Sequence, residues 1–217
     1  PKLAILMGKI NQFLFIISFI LFCYLSGFSQ KTKFYNSSLT KYNKGLEYFN
    51  KEKYSAAQKV FNDIINNYNY PLSDIKTDAQ YFAAICATEL YNKDAEYLLG
   101  KFIAEHPESP RIRKAKFKMG VYQFSKKRYN KVIKWLEQID TYELNNQELA
   151  EYHFKLGYSF FRLDEPENAK KSFYEIKDKK NKYSATAKYY YAHISYSDKN
   201  YETALQEFLK LKDHPDF

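Results

Sequence analysis

A pair of small residues twelve positions apart occurs five times along this chain, and it limits the folds that the chain can adopt. The first members follow one another at intervals of 38, 37, 37 and 35 residues. One member, Val132, is not small, and a large apolar residue stands four positions after each second member. The pairs are Gly45 and Ala57, Ala83 and Ala95, Gly120 and Val132, Gly157 and Ala169, and Ala192 and Ala204. The large residues are Phe61, Leu99, Leu136, Phe173 and Phe208.

This spacing predicts antiparallel helix pairs that touch where both helices carry small side chains. The large residue lies on the same helix face, one turn further along, and is expected to fill the wedge between one pair and the next. Because no single pair can bury both of its faces, the pairs are expected to stack as a solenoid. The predicted helices are about 38–50 and 54–67, 75–90 and 92–105, 110–126 and 129–139, 146–163 and 166–177, and 183–197 and 201–212.

The same residues resemble the tetratricopeptide repeat (TPR). The fourth unit carries that pattern as Leu156-Gly157, Phe160, Ala169 and Phe173. The early Trp of the family is missing throughout, and Pro166 replaces a Tyr, which is tolerable where a proline opens the second helix. The resemblance covers residues 39–215 and implies an all-α, right-handed TPR superhelix (α-solenoid) of about five helix pairs.

Residues 102–110 add a second likeness. With the residues that follow, they are similar to the TPR subgroup of bacterial envelope proteins, which includes the lipoprotein of the outer-membrane β-barrel assembly machinery and the Tol-Pal coordinator. That subgroup implies a protein or peptide partner and allows peripheral association with the outer membrane. The residues before Cys23 are Leu21 and Phe22, which do not form a lipidation motif and argue against the lipoprotein.

The N-terminus has the pattern of an export signal. Residues 13–27 are uncharged and mostly apolar, Lys9 precedes them, and small residues flank Phe28. We expect a signal peptide over residues 1–29 with its start at Met7, a linker over 30–37, and a solenoid over 38–217 that continues beyond Phe217 or whose end a partner covers. An uncleaved anchor is the alternative, because the apolar run is slightly shorter than the about 20 residues of a membrane span. The expected location is the periplasm or cell envelope.

In TPR proteins the first helix of each pair lines the concave surface. Carried onto this sequence, that rule predicts an aromatic partner groove formed by Tyr42, Phe49, Phe117, Phe124, Phe154, Tyr158, Phe161, Tyr189 and Tyr196. Aromatic grooves suit peptide or helix capture, although such stripes also serve as core. At the positions of the chaperone-type carboxylate clamp, only Lys114 and Lys118 fit, so no such clamp is expected.

Charge and motif content bear on the class of function. The formal net charge is +9, yet we interpret the acids as interspersed with the bases, with one dense basic run at residues 177–182, and this argues against nucleic-acid binding. No phosphate loop, nucleophile elbow or metal-ligand spacing is present, so the sequence predicts no enzyme, no cofactor and no metal site. It predicts a protein-interaction scaffold, with an assembly or secretion factor for outer-membrane proteins as the alternative.

Overall fold

The structure, a computed structural model, describes residues 37–67, 73–212 and 214, and all regular elements in these residues are helices. Contacts divide the chain into two compact units, residues 1–86 and 87–217. The elements, in chain order, are α1 (37–50), α2 (Tyr54–Asn67), α3 (Ser73–Glu89), α4 (Ala95–Glu105), α5 (Ile112–Ser125), α6 (Tyr129–Leu136), α7 (Asn146–Arg162), α8 (Pro166–Tyr174), α9 (Ser184–Ser197) and α10 (Tyr201–Leu209). The expected all-helical fold of helix pairs is confirmed, and the export signal lies outside the described residues.

Each first helix ends in the same type of cap. The second residue after the helix adopts a left-handed conformation, with φ between 56° and 62°, and the N–H of the residue that follows it donates to a carbonyl five residues back. This is the Schellman motif, in which glycine is the usual left-handed residue. Here all five positions carry other residues, and each is expected to cost roughly 1 kcal/mol relative to glycine. They are Glu52, Tyr91, Lys127, Asp164 and Lys199.

Three of the small first-helix positions are glycines pressed against the large residue of their own pair. A Cβ added at Gly45 would lie 2.7 Å from Cε1 of Phe61, and one added at Gly120 would lie 2.5 Å from Cδ2 of Leu136. Phe61 and Leu136 are fully buried. The large residue therefore packs on the glycine of its own helix pair, besides facing the next pair.

Helices α2 and α4 end at the predicted residues, but the three later second helices end earlier than their apolar pattern predicts. Helices α6, α8 and α10 stop three residues before the predicted ends, and a tight turn follows each. In these turns the N–H groups of Ile139, Ile176 and Leu211 donate to carbonyls three residues back, and the three side chains are buried. A turn of this type keeps the next apolar residue in the core, so periodicity alone does not separate it from a longer helix.

Helix α8 begins as predicted, with Pro166 in its first turn. Helix α7 begins with a capping box, in which the side chain of Asn145 accepts from the N–H of Glu148 and the carboxylate of Glu148 accepts from the N–H of Asn145. A short 3₁₀ turn, Thr141–Glu143, precedes it and was not predicted. Reciprocal capping satisfies two N–H groups that would otherwise lack helix partners.

A buried ion pair lies between the turn after α8 and α10. The Lys177 ammonium lies 3.0 Å from Oε1 of Glu207, and the two side chains are 6% and 8% exposed. Lys210 contacts the same carboxylate oxygen at 2.9 Å, Asp178 contacts Lys177, and the ring centroid of Tyr191 lies 5.0 Å from the Lys177 nitrogen. Breaking such a pair is costly because it leaves a buried charge without compensation.

Candidate functional site

The predicted groove residues of the first unit lie in an aromatic cluster. Tyr42 is 9% exposed, and its hydroxyl donates a 2.8 Å hydrogen bond to Asp78. Phe49 is half-buried, with its ring centroid 5.0 Å from that of Phe82 and 5.6 Å from that of Tyr54. These rings pack mainly against one another, so little of their surface in this unit faces a ligand.

In the second unit, Tyr158 of α7 is the centre of an aromatic strip. Its ring centroid lies 5.6 Å from that of Phe124 on α5, 5.9 Å from that of Tyr129 on α6 and 5.5 Å from that of Tyr190 on α9. Phe154, on the same helix as Tyr158, lies 6.2 Å away. Because Phe124, Tyr158 and Tyr190 come from three successive first helices, these helices share one aromatic face.

The other predicted groove residues divide by exposure. Phe117 is 7% exposed and belongs to the hydrophobic core, whereas Phe161 is half-buried against Tyr190. Tyr189 is 37% exposed and Tyr196 is 59% exposed. The prediction placed all of these residues on one face from their spacing, and the structure shows that they differ in how much of each ring a partner could contact.

Cations cover several rings of the strip. The ammonium of Lys155 lies 4.4 Å from the ring centroid of Phe124. The guanidinium of Arg162 lies 5.1 Å from the ring centroid of Tyr129 and donates hydrogen bonds to the hydroxyls of Tyr129 and Tyr158. The ammonium of Lys182 lies 4.8 Å from the ring of Tyr183, which stacks on Phe154. Cation–π contacts of this type orient a cation and leave its charge available to an anion.

Positive charge on the strip exceeds negative charge. Lys118 pairs with Glu89 at 3.1 Å, and Lys155 pairs with Glu151 at 3.4 Å. Arg162 and Lys182, by contrast, form no ion pair with any part of the chain that the structure describes. Burial lowers the pKa of Lys155, an effect that Glu151 opposes and the charges of Lys182 and Lys118 reinforce. The strip is therefore a cationic surface on which an incoming carboxylate would be favoured.

The sequence contains a signal for this charge that our interpretation missed. Residues 111–136 hold ten basic residues and no acidic residue, so the acids are not interspersed here and the run at 177–182 is not the main basic segment. The basic residues are Arg111, Arg113, Lys114, Lys116, Lys118, Lys126, Lys127, Arg128, Lys131 and Lys134. A count of charge by helix pair, rather than over the whole chain, would have found the segment.

Acids from neighbouring segments neutralise part of this basic segment. Arg128 and Lys131 both bond Glu96 on α4, and Arg113 bonds Glu143. Although burial opposes it, hydrogen bonds from Lys131, Gln123 and Arg128 hold the pKa of Glu96 at about 2. Five lysines of the segment have no ion-pair partner among the described residues, namely Lys114, Lys116, Lys126, Lys127 and Lys134.

Metal sites and membrane-spanning helices are two further features that bear on function. In residues 37–67, 73–212 and 214, no three His, Cys, Asp or Glu side chains are placed to hold a metal ion. No helix within the same residues combines the length and apolar character needed to cross a bilayer.

All ten residues predicted to form the contacts within helix pairs are buried. They are Gly45, Ala57, Ala83, Ala95, Gly120, Val132, Gly157, Ala169, Ala192 and Ala204.

Comparison with known proteins places the fold. No family model matches the chain, and no curated protein matches its sequence. Among solved structures, MamA of strain AMB-1 superposes with a TM-score of 0.65 at 17% identity, covering 82% of this chain and 92% of its own. PilF of Pseudomonas aeruginosa gives a TM-score of 0.56 at 18% identity, covering 79% of this chain and 73% of its own. The TPR-like repeats of a Podospora anserina putative kinesin light chain give 0.57 at 11% identity, covering 80% and 92%. At these identities the likeness concerns the fold, and that fold is the helix-pair repeat of TPR proteins.

Proposed function

We propose that this chain is a non-enzymatic interaction scaffold that binds a protein partner along the first-helix face of its second unit. The observation that carries the proposal is the strip of half-buried rings on α5, α7 and α9, with cations over the rings of Phe124, Tyr129 and Tyr183. Half-buried aromatic residues offer large contact area at a low cost in conformational entropy, which suits the capture of a peptide or helix.

Charge narrows the chemistry of the partner. Arg162 and Lys182 lie on ring faces without ion-pair partners among the described residues, and Lys155 carries a positive charge in a partly dehydrated position. A carboxylate that meets such a cation forms a charge-assisted hydrogen bond, which is stronger than a neutral one. The best-fitting partner is therefore an acidic segment with apolar or aromatic residues between its acids.

Nucleic acid fits this strip less well. Single-stranded binders stack bases on open ring faces. Here the ring of Phe124 is covered by Lys155, the ring of Tyr129 is covered by Arg162, and the ring of Phe154 stacks on Tyr183. The cations that attract phosphate thus occupy faces that bases would need.

Location in the cell envelope is part of the proposal and rests on the sequence of residues 9–29, which lie outside the described residues. An apolar run behind a lysine and ahead of small residues is the pattern of an exported protein. The partner would then be another envelope protein. Fractionation of cells that express the full chain, with detection of the cleaved form, tests this part separately.

Binding of an acidic probe peptide tests the proposed site. The probe is a fluorescein-labelled peptide of alternating Asp-Glu pairs and Phe, and fluorescence anisotropy measures its dissociation constant. The expected effect of Arg162→Ala is about tenfold weaker binding, because one charge-assisted contact is lost. Lys171→Ala is the matched control, since Lys171 is an exposed cation on α8. Equal weakening by the two variants, or tighter binding of an oligonucleotide than of the peptide, would overturn the proposal.

A further inference from the structure

Two turns of the second unit lie side by side on one edge of the helix pairs. They are residues 90–93, between α3 and α4, and residues 126–128, between α5 and α6, and we refer to them together as the basic edge. Tyr91 and Lys127 are the left-handed residues of the two turns and therefore hold equivalent positions in successive pairs. The ammonium of Lys126 lies 5.9 Å from the ring centroid of Tyr91, so the two turns are adjacent.

Positive charge on the basic edge is only partly neutralised. Three of its lysines are exposed and have no ion-pair partner in the part of the chain that the structure describes, namely Lys93, Lys126 and Lys127. Arg128 is paired with Glu96 on α4, and the exposed Asp94 stands just before that helix. The cations therefore outnumber the acids on these two turns, and their charges attract an anionic partner.

Exposed apolar side chains stand among these cations. Leu90 is 36% exposed and Tyr91 is 69% exposed, and the two are adjacent in sequence. Lys126 also lies over the ring of the buried Tyr122, at 5.3 Å, so its stem covers apolar surface while its charge stays near the edge. Tyrosine, with an apolar ring and a polar hydroxyl, is favoured at the boundary between lipid headgroups and acyl chains. Exposed apolar residues flanked by lysines are the pattern of an interfacial lipid-binding surface.

The following turn of the unit has the opposite charge. It comprises residues 163–165, between α7 and α8, and its left-handed residue is Asp164, which takes the place of Lys127. Asp164 and Glu165 are both exposed. Because the charge changes sign from one turn to the next, an anionic surface is attracted by the basic edge and repelled by the turn that follows it. This difference gives the bound protein a preferred orientation.

We propose that the basic edge binds the surface of an anionic lipid bilayer. Leu90 and Tyr91 lie at the boundary between headgroups and acyl chains, and the ammonium groups of the three unpaired lysines contact lipid phosphates. A bilayer fits two short turns better than a folded partner does, because a stable protein interface uses about 20–30 residues a side. A fluid lipid surface needs no complementary shape. These residues do not belong to the aromatic strip of the proposed function, so either proposal can fail without the other.

A fluorescent reporter on the edge itself tests the proposal. Tyr91→Trp introduces the reporter, and the unmodified protein gives the background from Trp135. Vesicles of phosphatidylcholine with about 30 mol% phosphatidylglycerol are expected to shift the reporter emission to the blue, whereas pure phosphatidylcholine is not. The shift is expected to disappear at about 1 M salt, where the Debye length is about 3 Å. Adding Lys127→Gln is expected to raise the lipid concentration at half-maximal shift about fivefold, because one lysine at the anionic surface is lost.

Controls separate this surface from other cations of the chain. Lys171→Gln removes an exposed cation on α8 and is expected to leave the reporter response unchanged. Arg162→Ala, which weakens the acidic peptide in the proposed function, is also expected to leave it unchanged. Equal weakening by Lys127→Gln and Lys171→Gln, or an equal shift with neutral and anionic vesicles, would overturn the proposal. So would a reporter that responds to heparin or to the acidic peptide but not to anionic vesicles, since the partner would then be a soluble polyanion or a protein.

Discussion

Replacing Gly120 by alanine tests whether helix pairs depend on backbone approach at their small residues. A Cβ at this position would lie 2.5 Å from Cδ2 of Leu136 and 2.9 Å from its Cγ. Leu136 is fully buried, and its Cγ is a branch point that cannot turn aside as a flexible side-chain end can. The added methyl group therefore forces α5 and α6 apart or drives Leu136 out of its preferred rotamer.

The size of the effect follows from two opposed contributions. Overpacking of a core costs about 1–3 kcal/mol, while alanine in place of glycine inside a helix gains about 1 kcal/mol. We expect Gly120→Ala to lower the free energy of unfolding by up to about 2 kcal/mol. Gly100→Ala in α4 is the matched control, because its nearest atom is Cε of Met119 at 3.8 Å, an ordinary contact. That variant is expected to gain about 0.5–1 kcal/mol from helix propensity alone.

Urea unfolding followed by circular dichroism measures both free energies. The two variants are expected to differ by the overpacking cost of about 1–3 kcal/mol, or roughly 2–12 °C in melting temperature for a chain of this size. Leu136→Val in the Gly120→Ala background removes the clashing Cδ atoms, so the double variant is expected to be more stable than the sum of the two single changes. If Gly120→Ala and Gly100→Ala gave equal stability, the close-approach argument would be refuted.

Three further changes act on other parts of the second unit. Lys177→Met is expected to lower the free energy of unfolding by about 1–3 kcal/mol in urea titrations, since it removes one of the two ammonium groups that contact the buried Glu207 carboxylate. Adding Glu207→Leu is expected to restore most of this loss, and no recovery would contradict the charge argument. Burial outweighs the nearby Glu175 carboxylate and lowers the pKa of His153 from its usual 6.5. The buried neutral imidazole therefore contributes to stability above pH 6.5, and this contribution is lost as the pH falls through the lowered pKa of the folded state. In His153→Leu, the melting temperature is expected to vary less with pH than in the unmodified protein, and an unchanged variation would count against the role of His153. Lys199→Gly, at a left-handed position, is expected to gain about 0.5–1 kcal/mol in thermal melts, whereas Lys199→Ala is not.

Local sequence determined the helix pairs and their register. The twelve-residue spacing predicted five pairs, and Pro166 marked the start of α8 as expected. These features are local, because two helices joined by a short turn bring fixed positions together whatever surrounds them. The same logic did not predict the left-handed residues at the turns, such as Tyr91 and Lys199, because neither residue type favours that conformation. The helix cap imposes the left-handed conformation, because the first helix must end at the turn for the second helix to pack against it.

Tertiary structure decided which aromatic residues face a partner. Helical spacing gives the angle of a side chain around its own helix, but it does not say what the neighbouring helix places over it. Phe117 and Phe161 occupy positions on the same predicted face, yet Phe117 lies in the core and Phe161 is half-buried. Phe173 and Phe208 also share one repeat position, and Phe173 is covered because Tyr190 stacks on it, while Phe208 lacks a stacked ring among the described residues. Exposure depends on contacts between segments far apart in sequence, so it emerges only when the pairs are stacked.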